Sequence, residues 1–249
     1  MSLLILIMAG GLGKRMKSKL PKVLHKVMDI PMVVHVLRTA KKLNPIKIGI
    51  VVGQYKDIIK DTILQYEDLK LVEFIIQEIP KGTGHAIQCS VPFLERNDSS
   101  NVLILSGDNP LIHISTLENL LKYQNKCVLM TTIFDNPYVC GRIIKNNKKF
   151  IKIVEERDCD EKEKLIKLVN CGIYKFNNKY LCKNIILLNN NNSQKEYYLT
   201  DVIELIKNNE KTEIGLYELP NEEQYQLIGV NTKKQLEELN LFMKKKLNL

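Results

Sequence analysis

The residues able to do chemistry gather in a few short stretches. Ala9-Gly10-Gly11-Leu12-Gly13-Lys14-Arg15-Met16 follows an apolar run, and Leu20-Pro21-Lys22 comes shortly after. Glycines let a backbone turn tightly and approach a ligand without a Cβ in the way. Successive exposed N–H groups in such a loop form a nest for anions. Arg15 and Lys22 add full positive charge, and the set suits a triphosphate. The loop matches neither common phosphate fingerprint. Gly13-Lys14 is followed by Arg15 rather than Ser or Thr, and a dinucleotide motif starting at Gly11 meets Met16 where it needs glycine. Taken alone, the stretch also reads as an ordinary strand-to-helix turn with solvated basic residues.

Further along stand Gln77, Gly82-Thr83-Gly84-His85-Ala86 and Ser106-Gly107-Asp108. A carboxylate such as Asp108 is the hard oxygen ligand that Mg²⁺ takes, usually together with substrate phosphates. Its alternative role is that of a turn residue before Pro110. Glu155, Asn170, Tyr197, Tyr198 and Thr200 are polar residues beside apolar runs, suited to sugar hydroxyls or to solvent. No nucleophile–base pair stands out, and His25, His35 and His113 have no zinc spacing; His85, at a helix start, reads as packed or hydrogen-bonded. An attacking phosphate oxygen is already ionised near neutral pH. Phosphoryl-type transfer can therefore run on positioning, Mg²⁺ and cationic clamps without a general base.

The elements that must position these residues alternate in type. Leu3 to Met8 is an unbroken apolar run, the pattern of a strand buried on both faces. Pro31 opens a helix carrying Val33, Val36, Leu37, Ala40 and Leu43, which Asn44-Pro45 stops. Strands are expected at 46–52, 71–76 and 101–105. A helix presenting Ile58, Ile59, Ile63 and Leu64 follows the first of these, and another runs from Gly82 towards Leu94. Strands alternating with helices imply a parallel sheet with right-handed crossovers, and ligands then sit beyond the carboxyl ends of the strands. The glycine-rich loop, Gln77 with Gly82-Thr83, and Ser106-Gly107-Asp108 all fall at those ends.

Ser115 and Glu118 read as a capping box before Leu120 and Leu121. Beyond them 128–134, 141–144, 150–154 and 171–176 read as shorter strands, with Asn146-Asn147 as a turn. The asparagine run 189–192 reads as irregular. A helix carries Ile203 and Ile206, and 214–219 is a late strand. Thr232 with Gln235 caps a last helix whose apolar stripe is Leu236, Leu239, Met243 and Leu247. The expected architecture is α/β: a Rossmann-like, mostly parallel central sheet flanked by helices, with a small mixed β lobe. One domain is expected over 1–231, followed by a C-terminal helix over 232–249 that folds back or pairs with a second copy into a homo-oligomer.

The 249 residues are 45% hydrophobic and 26% charged, an ordinary globular balance, with a net charge of +9 carried mostly by lysine. Dispersed lysines without interleaved aromatics argue against nucleic acid. The apolar start is too short for a signal peptide and nothing approaches a membrane span, so a cytoplasmic protein with no membrane partner is expected. The six cysteines have no C-x-x-C spacing and read as free, mostly buried thiols.

Taken as a set, several stretches resemble one family. They are the 9–16 loop with Leu20-Pro21-Lys22-Val23-Leu24-His25, Gln77 with 82–86, Gly107 to Leu111, Gly141-Arg142-Ile143, Ile153-Val154-Glu155, Asn170-Cys171-Gly172, Glu196 to Asp201, and Gly229-Val230-Asn231. Together, in order and over essentially the whole chain, they are similar to the uridyltransferase half of bacterial bifunctional N-acetylglucosamine-1-phosphate uridyltransferases. The resemblance implies attack of N-acetylglucosamine-1-phosphate on the α-phosphorus of UTP, giving UDP-N-acetylglucosamine and pyrophosphate. It implies Arg15 and Lys22 as catalytic cations and Asp108 and Asn231 as Mg²⁺ ligands. Met8, Ala9, Gly10, Gly11 and Lys22 would hold UTP, with Gln77, Gly82 and Thr83 at the uracil and Ser106 and Gly107 on the same rim. Gly141, Glu155 and Asn170 would hold the sugar.

Against that family's usual pattern, Gly10 stands for alanine and Lys14 for threonine, Ser106 and Cys140 for tyrosines, and Cys171 for threonine. Relatives of the same fold use dTTP or CTP, so another base or sugar, or a non-catalytic nucleotide-sugar sensor, is the competing reading. The acetyltransferase half of that family is a solenoid of hexapeptide repeats. No such period occurs here, so acetylation of glucosamine-1-phosphate and the trimer of those relatives are not expected.

Overall fold

A computed structural model describes residues 2–11, 13–97, 99–147 and 149–246, and for Lys14 the backbone alone. Leu12, Lys148 and Leu247 therefore lie outside the described residues. The elements run in the order β1 (Leu3–Met8), β2 (Lys26–Val27), β3 (Ile30–Pro31), α1 (Met32–Lys41), β4 (Lys47–Val52), α2 (Lys56–Leu64) and β5 (Val72–Ile76). Next come α3 (Thr83–Gln88), α4 (Val91–Arg96), β6 (Asn101–Ser106), α5 (Ile114–Leu121), β7 (Cys127–Ile133), β8 (Arg142–Asn146) and β9 (Lys149–Val154). β10 (Leu168–Asn177), α6 (Asn178–Ile185), α7 (Leu199–Asn209), β11 (Gly215–Glu218) and α8 (Lys233–Lys246) complete the chain.

The main sheet has the order β5-β4-β1-β6-β10-β7-β11. β1 pairs in parallel with β4 and β6, and β4 with β5, so the carboxyl ends of four strands form one rim. β10 runs antiparallel between β6 and β7, which brings its amino-terminal end to that rim. The hairpin of β8 and β9 hangs from β10 through Val169 and Arg142, forming the expected β lobe.

The alternation of β1 explains its position at the centre. Leu4 and Leu6 face one core cluster with Phe93, Phe176 and Leu181; Leu3, Ile5 and Ile7 face another with Val33, Leu37 and Ile50. A strand with apolar neighbours on both faces has nowhere to place a polar side chain, hence its unbroken run. Full burial of each such side chain is worth about 1.5–3 kcal/mol.

Three expectations need correction. The helix expected from Gly82 to Leu94 is two, α3 and α4, because Pro92 in the first turn of α4 cannot donate to the carbonyl four residues back. Ser115 does not cap α5. The helix starts one residue earlier, and Gln226 Oε1, from a distant turn, accepts the His113 N–H at 2.9 Å and the Thr116 hydroxyl at 2.8 Å. Only Cys127 and Cys159 are buried, the other four cysteines being half-buried. By contrast, the cap on α8 forms as expected. Thr232 Oγ1 accepts the Gln235 N–H at 3.2 Å, and Gln235 Oε1 accepts the Thr232 N–H at 3.1 Å. α8 folds back: Leu239 is buried with Met16, Val27, Met32, Leu111 and Val230. Among the described residues no helix is long and apolar enough to cross a membrane.

Candidate active site

Backbone hydrogen bonds lock the rim first. The Ala9 N–H donates to the Val51 carbonyl at 2.8 Å, and the Gly107 N–H donates to the Met8 carbonyl at 2.9 Å. The glycine-rich loop then turns at Gly13, whose φ of +58° a side chain would resist and whose Cβ would stand 2.7 Å from Lys22 Cβ. A helical turn follows, burying Met16 in the α8 cluster, which leaves Arg15 beside it on the surface side. A second short turn buries Val23 and Leu24 and so fixes Lys22.

These cations meet the residues implied as metal ligands. Lys22 Nζ donates to Asp108 Oδ2 and, at 3.1 Å, to Asn231 Oδ1. Arg15 Nη2 donates to the same Asn231 oxygen at 2.9 Å. The Ser106 hydroxyl donates to Asp108 Oδ1 at 2.5 Å. Asp108 and Asn231 are far apart in sequence; the Val230 N–H, donating to the Asp108 carbonyl at 3.4 Å, brings them together. Gln235 Oε1 also accepts the Asn231 N–H at 2.9 Å, so the cap of α8 doubles as the clamp on Asn231.

Two cavities open at this rim, and Lys22 and Asp108 belong to the lining of the first. The first, about 310 Å³, is lined by Met8, Gly10, Gly11, Lys22, Gln77, Gly82, Thr83, Ser106 and Asp108. The second, about 300 Å³, is lined by Gly141, Glu155 and Asn170 with Cys140, Cys171, Tyr174 and Thr200. Met8, Thr83 and Ser106 line both, so the cavities adjoin. Gly82 sits at φ +108° with Tyr197 backbone atoms where a Cβ would go, which keeps the wall of the first cavity close to the 197–199 strand of chain. The Leu199 N–H donates to Thr83 Oγ1 at 3.0 Å across the same seam.

In the second cavity a register shift in β10 between Asn170 and Tyr174 turns Asn170 inward. Its Nδ2 donates to the Tyr174 hydroxyl at 2.7 Å and its Oδ1 accepts the Gly172 N–H at 3.2 Å. Glu155 accepts the Thr200 hydroxyl at 2.9 Å. Burial raises the Glu155 carboxyl above its ordinary range, against the Thr200 bond and helped by Asp158. Burial also raises the Cys140 thiol, and a raised thiol is a poor nucleophile. Arg142, 2% exposed, donates to the Cys140 carbonyl and to Glu156 Oε2 at 2.5 Å, pinning the loop before Gly141 to the turn that follows Glu155.

Most of the residues singled out in the sequence thus converge. Ala9, Gly107, Arg15 and Asn231 line neither cavity: the Ala9 side chain is in the core, the Ala9 and Gly107 N–H groups serve the rim, and Arg15 and Asn231 join the first cavity's lining only through Lys22. Sequence reasoning left Thr200 ambiguous and did not find Tyr174, Arg142 or Gln226; only Arg142, inside a stretch of the resemblance, carried a signal. Among the described residues no three His, Cys, Asp or Glu gather to hold a metal. The chain's offer to a cation is one carboxylate and one amide oxygen, aimed at the point where an ammonium sits.

Residues 5–146, more than half of the chain, match the family of MobA-like NTP transferase domains. The chain is 44% identical over 240 residues to a probable UDP-N-acetylglucosamine pyrophosphorylase of Acanthamoeba polyphaga mimivirus, covering 94% of each. It is 40% identical over 248 residues to the bifunctional protein GlmU of Clostridium acetobutylicum, covering 98% of this chain and 52% of that one. The chain therefore spans about half the length of its bifunctional relatives. Among solved structures, UDP-glucose pyrophosphorylase complexed with UDP-glucose superposes with a TM-score of 0.77 at 17% identity, covering 99% of this chain and 100% of that one. A putative glucose-1-phosphate thymidylyltransferase from Bacillus anthracis superposes with a TM-score of 0.73 at 19% identity, covering 97% and 95%. At such identities the likeness is one of fold.

Proposed function

The chain belongs to the MobA-like NTP transferase family, and we propose that within it this protein is a Mg²⁺-dependent uridylyltransferase making UDP-N-acetylglucosamine and pyrophosphate from UTP and N-acetylglucosamine-1-phosphate. The observation that carries the reading is the pair of adjoining cavities, the first lined by Lys22 and Asp108, which are held in one cluster with Arg15 and Asn231. Identity to the probable UDP-N-acetylglucosamine pyrophosphorylase over nearly the whole chain supports the choice of base and sugar.

In this reading the first cavity takes the nucleotide and the second the sugar phosphate. The sugar phosphate oxygen is the nucleophile and needs no base. Arg15 and Lys22 are positioned to offset the negative charge that builds on the α-phosphate and the leaving pyrophosphate. Fixed cations act on such charge without reorganising, which makes this the largest contribution the chain itself can give. Asn170 and Glu155 orient the sugar, Glu155 by accepting from hydroxyls.

Asp108 and Asn231 fit a divalent cation. Their two hard oxygens converge on one point where the Lys22 ammonium already sits, and phosphates and water complete a Mg²⁺ shell without further protein ligands. Mg²⁺ held there would supply charge neutralisation to the triphosphate. The testing experiment measures pyrophosphate release with four nucleoside triphosphates and several sugar-1-phosphates. The reading requires the UTP and N-acetylglucosamine-1-phosphate pair to give the highest kcat/KM; a different best pair replaces it.

A further inference from the structure

Gln77, 7% exposed, offers one edge of its amide to the nucleotide cavity, and the other edge is held from behind. Its Nε2 donates to the Gly82 carbonyl at 3.0 Å and lies 3.1 Å from Nδ1 of His85. A primary amide has two hydrogens on its nitrogen, and these two acceptors use both. The Gly82 carbonyl has no hydrogen to give, so turning the amide over would set oxygen against oxygen. Gly82 thereby fixes the nitrogen on that side. His85 Nδ1 must then present its lone pair, which assigns the ring hydrogen to Nε2. Burial, with Lys81 nearby, pulls the imidazole below its ordinary pKa, so the lone pair is available at neutral pH. Cys89 Sγ, 3.8 Å from Nε2, and the Tyr197 ring, 6.2 Å away between centroids, flank the imidazole. The polar atom of Gln77 left for the cavity is Oε1, 3.6 Å from where a Cβ on Gly10 would stand.

We propose that His85 is a specificity-determining positioning residue: by accepting from Gln77 Nε2 it holds Oε1 towards the base, so the site takes pyrimidines bearing an imide N–H and rejects cytosine. The inference rests on the uridylyltransferase reading and adds to it the source of its base selectivity. Uracil and thymine carry a hydrogen on N3, which Oε1 accepts. Cytosine carries a lone pair there, so two acceptors would face each other out of water, and a site built to hydrogen-bond discriminates strongly against a ligand lacking the partner group. Without His85 only the Gly82 carbonyl resists turning the amide over, so offering Nε2 to cytosine N3 costs less and the discrimination against cytosine weakens.

The test compares kcat and KM for UTP, dTTP and CTP in the wild-type chain, His85→Leu and His85→Asn, with fold checked by circular dichroism. His85→Leu is expected to lower the UTP-to-CTP ratio of kcat/KM by about tenfold or more. The change should appear in KM, with kcat on UTP held within about twofold. The UTP-to-dTTP ratio should hold, since both bases carry the imide hydrogen. His85→Asn, whose Oδ1 stands near the Nδ1 position, should restore most of the selectivity; His85→Phe serves if the leucine variant does not fold. An unchanged UTP-to-CTP ratio in a folded leucine or phenylalanine variant, or a loss that asparagine does not restore, overturns the proposal. A wild-type chain inactive on UTP would instead remove the reading beneath it, a result distinct from an active enzyme whose selectivity ignores His85.

Discussion

At the level of single residues, the placement of charge governs this site. Arg15 shares the Asn231 oxygen with Lys22, so it is held beside that lysine without a carboxylate partner of its own among the contacts described. Its charge is therefore available to phosphate. Arg15→Ala should lower kcat by roughly 10²-fold, about 3 kcal/mol, with little change in KM for the sugar phosphate. An unaltered kcat would remove Arg15 from the chemistry. Asp201 is the other informative charge. Burial, then Glu155, Glu204 and Asp158, raise its carboxyl to about 6. A carboxyl raised on folding binds its proton more tightly in the folded state, so its ionisation destabilises the fold as pH climbs from about 4 through about 6. Asp201 also lies in the first turn of α7, where the helix dipole favours a negative charge by only about 0.3–1 kcal/mol. Burial and like charge outweigh that. Asp201→Asn should raise Tm at pH 8 and leave it nearly unchanged at pH 4. An equal effect at both pH values would show that the carboxyl is not perturbed.

At the element scale, α8 links stability to the site. Gln235 accepts the N–H groups of both Thr232 and Asn231, so one side chain caps the helix and clamps the residue beside Arg15 and Lys22. Thr232→Ala and Gln235→Ala should each cost about 1 kcal/mol in urea unfolding, the usual worth of a cap. The glutamine variant alone should also raise the Mg²⁺ concentration needed for half-maximal rate. If both variants leave that concentration unmoved, the clamp on Asn231 has no part in metal binding. This cap was legible in the sequence because its two partners are local. The cap of α5 was not. Its acceptor, Gln226, arrives from more than a hundred residues away, and Ser115, the obvious candidate, lies inside the helix. Local pattern cannot carry a partner that only tertiary folding supplies.

Across the whole molecule the same contrast holds. β1, β4 and β6 were legible because a strand buried on both faces must be apolar throughout. The convergence of Gly10, Gln77 and Asp108 followed from parallel strands placing their carboxyl ends together. Strand direction leaves no such mark. The antiparallel course of β10, which carries Asn170 to the rim, depends on which strands flank it, and an apolar run reads the same in either sense. The bulge that turns Asn170 inward and the buried Arg142 that holds the loop before Gly141 are likewise products of packing. Of the site residues, those on glycine-marked loops could be read early, while Tyr174 and Thr200 needed the fold.

On the proposed reading the two cavities serve one reversible transfer between UTP and a sugar-1-phosphate. Phosphorus NMR of the purified chain with Mg²⁺, UTP and N-acetylglucosamine-1-phosphate tests it most directly. UDP-N-acetylglucosamine and pyrophosphate should appear one for one, and UTP should return when pyrophosphate is added in excess. Release of inorganic phosphate without a sugar nucleotide, or no turnover at all, would contradict it.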